Sequence, residues 1–145
     1  MNTVKEILYK KGKEVWTVSP EATVFDALEI MAEKNLGALL VIKESQLAGI
    51  FSERDYARKV SLAGKHSKET LVKEIMSANI IYIDPSFSVE ECMALMINKR
   101  IRHLPVIEEN KLVGLISIGD VVKAVIDQKE FVIEQLVHYI SGKPG

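Results

Sequence analysis

The stretch Gly49-Ile50-Phe51-Ser52-Glu53-Arg54-Asp55 returns 65 residues later as Gly114-Leu115-Ile116-Ser117-Ile118-Gly119-Asp120. Each stretch reads as an apolar strand that ends on a serine and runs directly into a helix. Ser-x-x-Asp is a capping pattern, with the serine at the N-cap and the acid in the first helical turn. The same shift lays residues 15–60 on residues 80–125 without a gap, and 13 of those 46 positions are identical. Among them are Pro20/Pro85, Val24/Val89, Met31/Met96, Leu39/Leu104, Val41/Val106, Gly49/Gly114, Ser52/Ser117 and Asp55/Asp120. A duplicated supersecondary unit accounts for such a match. Upstream, Val4-Lys5-Glu6-Ile7-Leu8 echoes Val72-Lys73-Glu74-Ile75-Met76 at an offset of 68, so the first copy carries three extra residues within 9–14.

Both copies predict the order α-β-α-β-β-α. Short helices over 4–8 and 70–76 precede short strands over 15–18 and 80–83. Thr23 with Asp26 and Ser88 with Glu91 form capping patterns that open helices over 24–34 and 89–99, whose apolar residues recur at helical spacing. Strands over 38–42 and 104–107 follow, then polar turns at 43–46 and 108–111. The second strands end at Ser52 and Ser117, and helices over 55–62 and 120–126 close each copy. The fold class is therefore mixed α/β (α+β), with helices alongside small sheets. The reading divides the chain into repeat 1 (1–66), repeat 2 (67–128) and a C-terminal helix and tail (129–145), with a polar linker at 64–69. The last helix, 129–141, presents Phe131, Val132, Leu136, Val137 and Ile140 on one broad face. That face either packs on the body or meets another subunit. Ser141-Gly142-Lys143-Pro144 then reads as a stop.

Composition bounds the function. Of 145 residues, 48% are hydrophobic and 27% charged, which excludes a disordered or low-complexity chain. A net charge of −1 argues against a protein built to neutralise nucleic-acid phosphates. A single cysteine, Cys92, precludes an internal disulfide and a multi-cysteine metal motif; its place on an amphipathic helix predicts packing. The longest aliphatic run, Ala38-Leu39-Leu40-Val41-Ile42, is far short of the roughly 20 residues of a membrane span. The expectation is a soluble cytoplasmic protein with no nucleic-acid or membrane partner, no metal and no catalytic residues. His66 and His138 stand alone and are expected to carry no ligand role.

Gly-x-x-Ser-x-x-Asp at a strand-to-helix junction has two readings. It is a cap in its own right, since an acid in the first turn complements the helix dipole. It also suits a nucleotide. Backbone N–H groups at a helix N-terminus attract phosphate, a serine hydroxyl adds a bond, and a carboxylate accepts from both hydroxyls of a ribose. Arg54 favours the second reading, because a cation in the first turn opposes the dipole unless an anion lies near. Arg58 shares its face. Gly119 and Lys123 stand at these places in the second copy, and Gly119 permits close approach of a ligand.

The repeats resemble the CBS domain (cystathionine-β-synthase-like domain), and two in tandem resemble a CBS pair, or Bateman module, of the small stand-alone bacterial type. The resemblance rests on Val72-Lys73-Glu74-Ile75-Met76, Pro85 with Val89, Ile101-Arg102-His103-Leu104-Pro105-Val106-Ile107 and the two closing motifs quoted above. It implies two repeats about a pseudo-two-fold axis, with adenine nucleotides held in two clefts. One cleft would combine Ser52, Arg54, Asp55 and Arg58 with Arg102, His103, Leu104 and Pro105. The other would combine Leu115, Ser117, Gly119 and Asp120 with Leu36, Gly37, Ala38 and Leu39. Lys13, Val15 and Ile80 would edge the adenine, and Lys10, Lys11 and Lys13 could reach phosphates. Leu40 stands where the second copy has Pro105, and Gly37 where it has Arg102, so the clefts are unlike. The Asp55 cleft is expected to be richer in cations and to prefer more phosphate. His103 would add a pH response near the ordinary imidazole value of about 6.5. The implied function is a regulatory sensor of AMP, with NAD or ATP as further ligands, that acts as a homodimer on an unknown protein. A constitutive dimerisation or adaptor protein, and a small nicotinamide-dependent enzyme, are the competing readings.

Overall fold

The computed structural model describes residues 2–12 and 14–141, with side chains up to Val137 in the last helix. Lys13, the side chains of His138 and Ile140, and the tail after Ser141 lie outside the described residues. The chain runs α1 (Val4–Lys11), β1 (Thr17–Val18), α2 (Val24–Lys34), β2 (Ala38–Lys43) and β3 (Gln46–Ser52). It continues as α3 (Glu53–Asp55), a π-helix (Tyr56–Ser61) and α4 (Val72–Ile75). The second copy supplies α5 (Val89–Lys99), β4 (His103–Glu108), β5 (Lys111–Ser117) and α6 (Ile118–Ser141). Among the described residues, six α-helices, one π-helix and two small sheets form a mixed α/β fold built from tandem repeats with a C-terminal helix.

Contacts gather into two compact units, residues 14–81 and residues 1–13 with 82–145. Each sequence copy thus gives its opening helix to the unit built on the other copy. Three backbone bonds explain the docking, and they occur twice. In one unit Val72 N–H donates to Ala22 O, Lys73 N–H to Pro20 O, and Val24 N–H to Thr70 O. In the other, Val4 N–H donates to Phe87 O, Lys5 N–H to Pro85 O, and Val89 N–H to Asn2 O. The paired prolines have no N–H, but their carbonyls accept, so proline ends the strand region without leaving the helix undocked.

Within residues 14–81 the sheet order is β1-β2-β3, with β1 parallel to β2 and β2 antiparallel to β3. Leu39, Val41 and Phe51 face α2 and α4, and with Val18, Val24, Ala27, Met31, Val60, Val72 and Ile75 they form the core. In the other unit β4 and β5 pair in the same register, from His103↔Ser117 to Glu108↔Lys111. Both hairpins turn on two residues with positive φ, Glu44 and Ser45 in one and Glu109 and Asn110 in the other. That is the geometry whose twist matches the strands. Both also carry an irregularity one residue before the turn half, at Val41/Ile42 and at Val106/Ile107.

Helices α2 and α5 keep the residues expected of them, 24–34 and 89–99, with Thr23 and Ser88 as N-caps. The expected strand over 80–83 is not formed; only Ile83 bridges, parallel to Val106. Pro105 has no N–H to offer a parallel neighbour, so the ladder stops after one residue. The expected strand over 15–18 shortens to Thr17–Val18. The closing helix of the first copy begins at Glu53 rather than residue 55 and proceeds as a π-helix, in which Leu62 N–H reaches Ala57 O. The expected separate helices over 120–126 and 129–141 are one helix, α6. No glycine or proline separates Ile126 from Lys129, and Asp127 and Gln128 continue it. Cys92 is fully buried, and burial followed by the charge of Glu91 pushes its thiol up to about 11. Among the described residues no helix is long and apolar enough to cross a membrane.

Candidate functional site

The two junctions are built alike. In the first, Ser52 N–H donates to Asp55 Oδ2 at 3.0 Å while Asp55 N–H donates to Ser52 Oγ at 3.2 Å. In the second, Ser117 N–H donates to Asp120 Oδ2 at 2.8 Å while Asp120 N–H donates to Ser117 Oγ at 3.1 Å. Both are complete capping boxes, so the structural reading of Ser-x-x-Asp is realised in each copy. The first helical N–H is also committed. Glu53 N–H donates to Gly37 O at 3.1 Å, and Ile118 N–H donates to Arg102 O at 2.8 Å. Gly37 and Arg102, which immediately precede β2 and β4, therefore sit at the helix start within their own unit. The second N–H of the turn, from Arg54 or Gly119, is the donor left uncommitted among the described residues. Gly119 is exposed, and a side chain added there would meet only Ser117 Oγ, at 3.6 Å.

Both carboxylates also hold an ammonium. Lys59 Nζ lies 3.3 Å from Asp55 Oδ1 and donates to Ile75 O at 3.1 Å. Lys11 Nζ lies 2.6 Å from Asp120 Oδ2 and donates to Leu115 O at 2.7 Å. The two aspartates are largely covered, at 16% and 21% side-chain exposure, whereas the lysines are more open at 47% and 37%. The Asp55–Lys59 spacing of four residues was a legible signal, yet the sequence reading did not single out Lys59. Lys11 was expected to reach a phosphate and here reaches the acid. The Asp120 junction is accordingly not poor in cations.

The remaining candidates separate into three groups. Ala38, Leu39, Leu104 and Pro105 are buried, with Leu39 and Leu104 wholly inaccessible, so what these two offer a ligand is backbone. Leu36, Leu115, Val15 and Ile80 are half-buried. Gly37, Arg54, Arg58 and Arg102 are exposed, and none of the three arginines joins an ion pair among the described residues. His103 lies opposite Ser117 in the hairpin. Burial pushes its pKa below the ordinary 6.5, Lys11 and Arg102 push the same way, and Asp120 pulls it up. The pH response expected near 6.5 is therefore displaced downward. The His66 carbonyl accepts from Thr70 Oγ1 at 2.8 Å.

The family model for the CBS domain matches residues 4–62 and 72–127. The chain is 39% identical to the mitochondrial CBS domain-containing protein CBSX3 of Arabidopsis thaliana, over 97% of this chain and 72% of that one. A solved CBS-domain protein from Burkholderia ambifaria MC40-6 is 53% identical and superposes with a TM-score of 0.84, covering 86% of this chain and 94% of that one. The CBS domain pair of protein MJ0100, solved in complex with 5′-methylthioadenosine and S-adenosyl-L-methionine, is 24% identical. It shares the fold with a TM-score of 0.75 over 87% of this chain and 97% of that one.

Proposed function

The chain belongs to the CBS domain family, with two copies in tandem, and we propose that it is a regulatory module that binds an adenine nucleotide and signals occupancy to another protein. AMP is the first candidate; ADP, ATP and NAD(H) carry the same adenosine. The observation that carries this reading is the duplicated junction, in which a capped aspartate keeps a cation at its carboxylate. A carboxylate able to hold an ammonium beside a backbone carbonyl is equally able to accept from ribose hydroxyls. The uncommitted N–H of Gly119 or Arg54 adds a donor for phosphate. A CBS pair of this fold holds two adenosine compounds, which agrees with this ligand class. We assign binding and not catalysis to these junctions, because each acid and its serine are engaged with one another in a cap and each acid also holds an ammonium.

The module is read as a homodimer. Ile118, Val122, Ile126, Ile133 and Leu136 are all exposed on α6, at spacings close to a heptad seam. The test of ligand binding is a melting-temperature series. AMP at 100 times its dissociation constant adds about 2.7 kcal/mol of stability, and inorganic phosphate alone adds none. The absence of a shift with every adenosine compound would overturn the reading.

A further inference from the structure

The two units cover the outer edge of the second hairpin strand in different ways. In one, the chain leaves α4 after Ile75, and Ser77 exchanges two backbone bonds with Ile50, at 2.9 and 3.0 Å. Leu115 is the repeat partner of Ile50, but α1 runs on through Tyr9, Lys10 and Lys11 before Gly12 caps it. The three extra residues of the first copy thus convert a main-chain pairing into a side-chain contact, the bond from Lys11 Nζ to Leu115 O. The same ammonium lies 2.6 Å from Asp120 Oδ2. One flexible side chain, a third exposed, therefore occupies the spot where a carbonyl and a carboxylate both seek a donor. Gly12 follows at once, with φ of +98° and open space where a side chain would stand.

We propose that Lys11 is an internal competitor at the Asp120 junction that makes it select ligands carrying an anion. The proposal rests on the nucleotide reading above and specifies it. A neutral nucleoside must displace the ammonium from Asp120 and Leu115 and leaves it without a counter-charge. A nucleotide displaces it too, but its phosphate, seated toward the Gly119 N–H, gives the released ammonium a new partner one side-chain swing away. The lysine is thus a penalty for adenosine and a contact for AMP. The Asp55 junction differs in where its ammonium comes from: Lys59 follows its acid by only four residues, whereas Lys11 reaches Asp120 from the end of a separate helix.

Calorimetric titration of adenosine and of AMP into the full chain tests this with Lys11→Met and Lys11→Arg, in an Asp55→Asn background that leaves one junction intact. Lys11→Met is expected to tighten adenosine about fivefold, the worth of a partly exposed ion pair, and to leave AMP unchanged or weaker. The preference for AMP over adenosine then falls by fivefold or more, and Lys11→Arg retains it. An unchanged preference in Lys11→Met, with both ligands still bound, overturns the competitor role and leaves the nucleotide reading standing. Failure of every form, wild type included, to bind either ligand overturns both.

Discussion

Ser117 and Asp120 cap one another, the acid accepting from the serine N–H at 2.8 Å and the serine hydroxyl accepting from the acid's N–H at 3.1 Å. This reciprocity starts a helix of 24 residues, from Ile118 to Ser141. Ser117→Ala leaves one N–H of the first turn unsatisfied. A loss of about 0.5–2 kcal/mol in urea unfolding is expected, with Ser52→Ala in the same range. A change below a few tenths in both would mean that the caps contribute little.

Gly49 and Gly114 are repeat partners, yet their neighbours differ in kind. A Cβ on Gly49 would come within 2.9 Å of the backbone carbonyl of Ser77 and 2.7 Å of Met76 Sδ. A Cβ on Gly114 would meet the end of the Leu8 side chain, at 2.6 Å. Leucine rotates away more readily than a paired backbone moves. Gly49→Ala is expected to cost about 1–3 kcal/mol, and Gly114→Ala less. Equal costs by chemical denaturation would contradict that ordering.

His103 gives stability a pH dependence. Its folded pKa lies below the unfolded 6.5, chiefly through burial and then through Lys11. Between the two values the unfolded chain binds more protons than the folded one, so stability rises with pH. The contribution is complete above 6.5 and is lost as pH falls from there toward the lowered folded value. His103→Gln should flatten this part of the profile. Lys11→Met should move the histidine's NMR titration upward; a downward move would place Lys11 elsewhere.

The exposed apolar face of α6 predicts assembly. Light scattering at micromolar concentration should give twice the chain mass of 16.2 kDa. The double change Ile133→Glu and Leu136→Glu should return it to the monomer without unfolding, since both side chains are exposed in the isolated chain. A wild-type monomer would remove the homodimer from the account.

The duplication was legible because it acts at every level. The same spacing that aligned Ser52 with Ser117 also aligned the helix caps, the hairpin turns and the glycines at the close approaches. The starts of α2 and α5 followed from Thr23 and Ser88, because a side-chain cap is a local decision. What escaped the sequence depends on partners distant in the chain or on subtle backbone choices. The missing strand over 80–83 follows from Pro105, a residue more than twenty places away. The π-helix after Asp55 has no residue pattern that announces it. The placing of α1 and α4 in the unit built on the other copy also escaped the sequence, because the docking bonds are backbone bonds, which carry no side-chain signature. At the candidate site, the two acids and two serines were legible from their spacing, whereas the Lys11–Asp120 contact joins residues 109 apart.

The most direct test of nucleotide binding is calorimetry of AMP against the wild-type chain and against Asp55→Asn with Asp120→Asn. Asparagine keeps an oxygen that can accept at the cap, so folding stability should change by no more than about 1 kcal/mol. A charged acceptor bond is worth about 1.5–3 kcal/mol, so the account predicts saturable binding to the wild type and a loss of at least tenfold in the double variant. No heat of binding in the wild type, or equal affinity in the double variant, would contradict it.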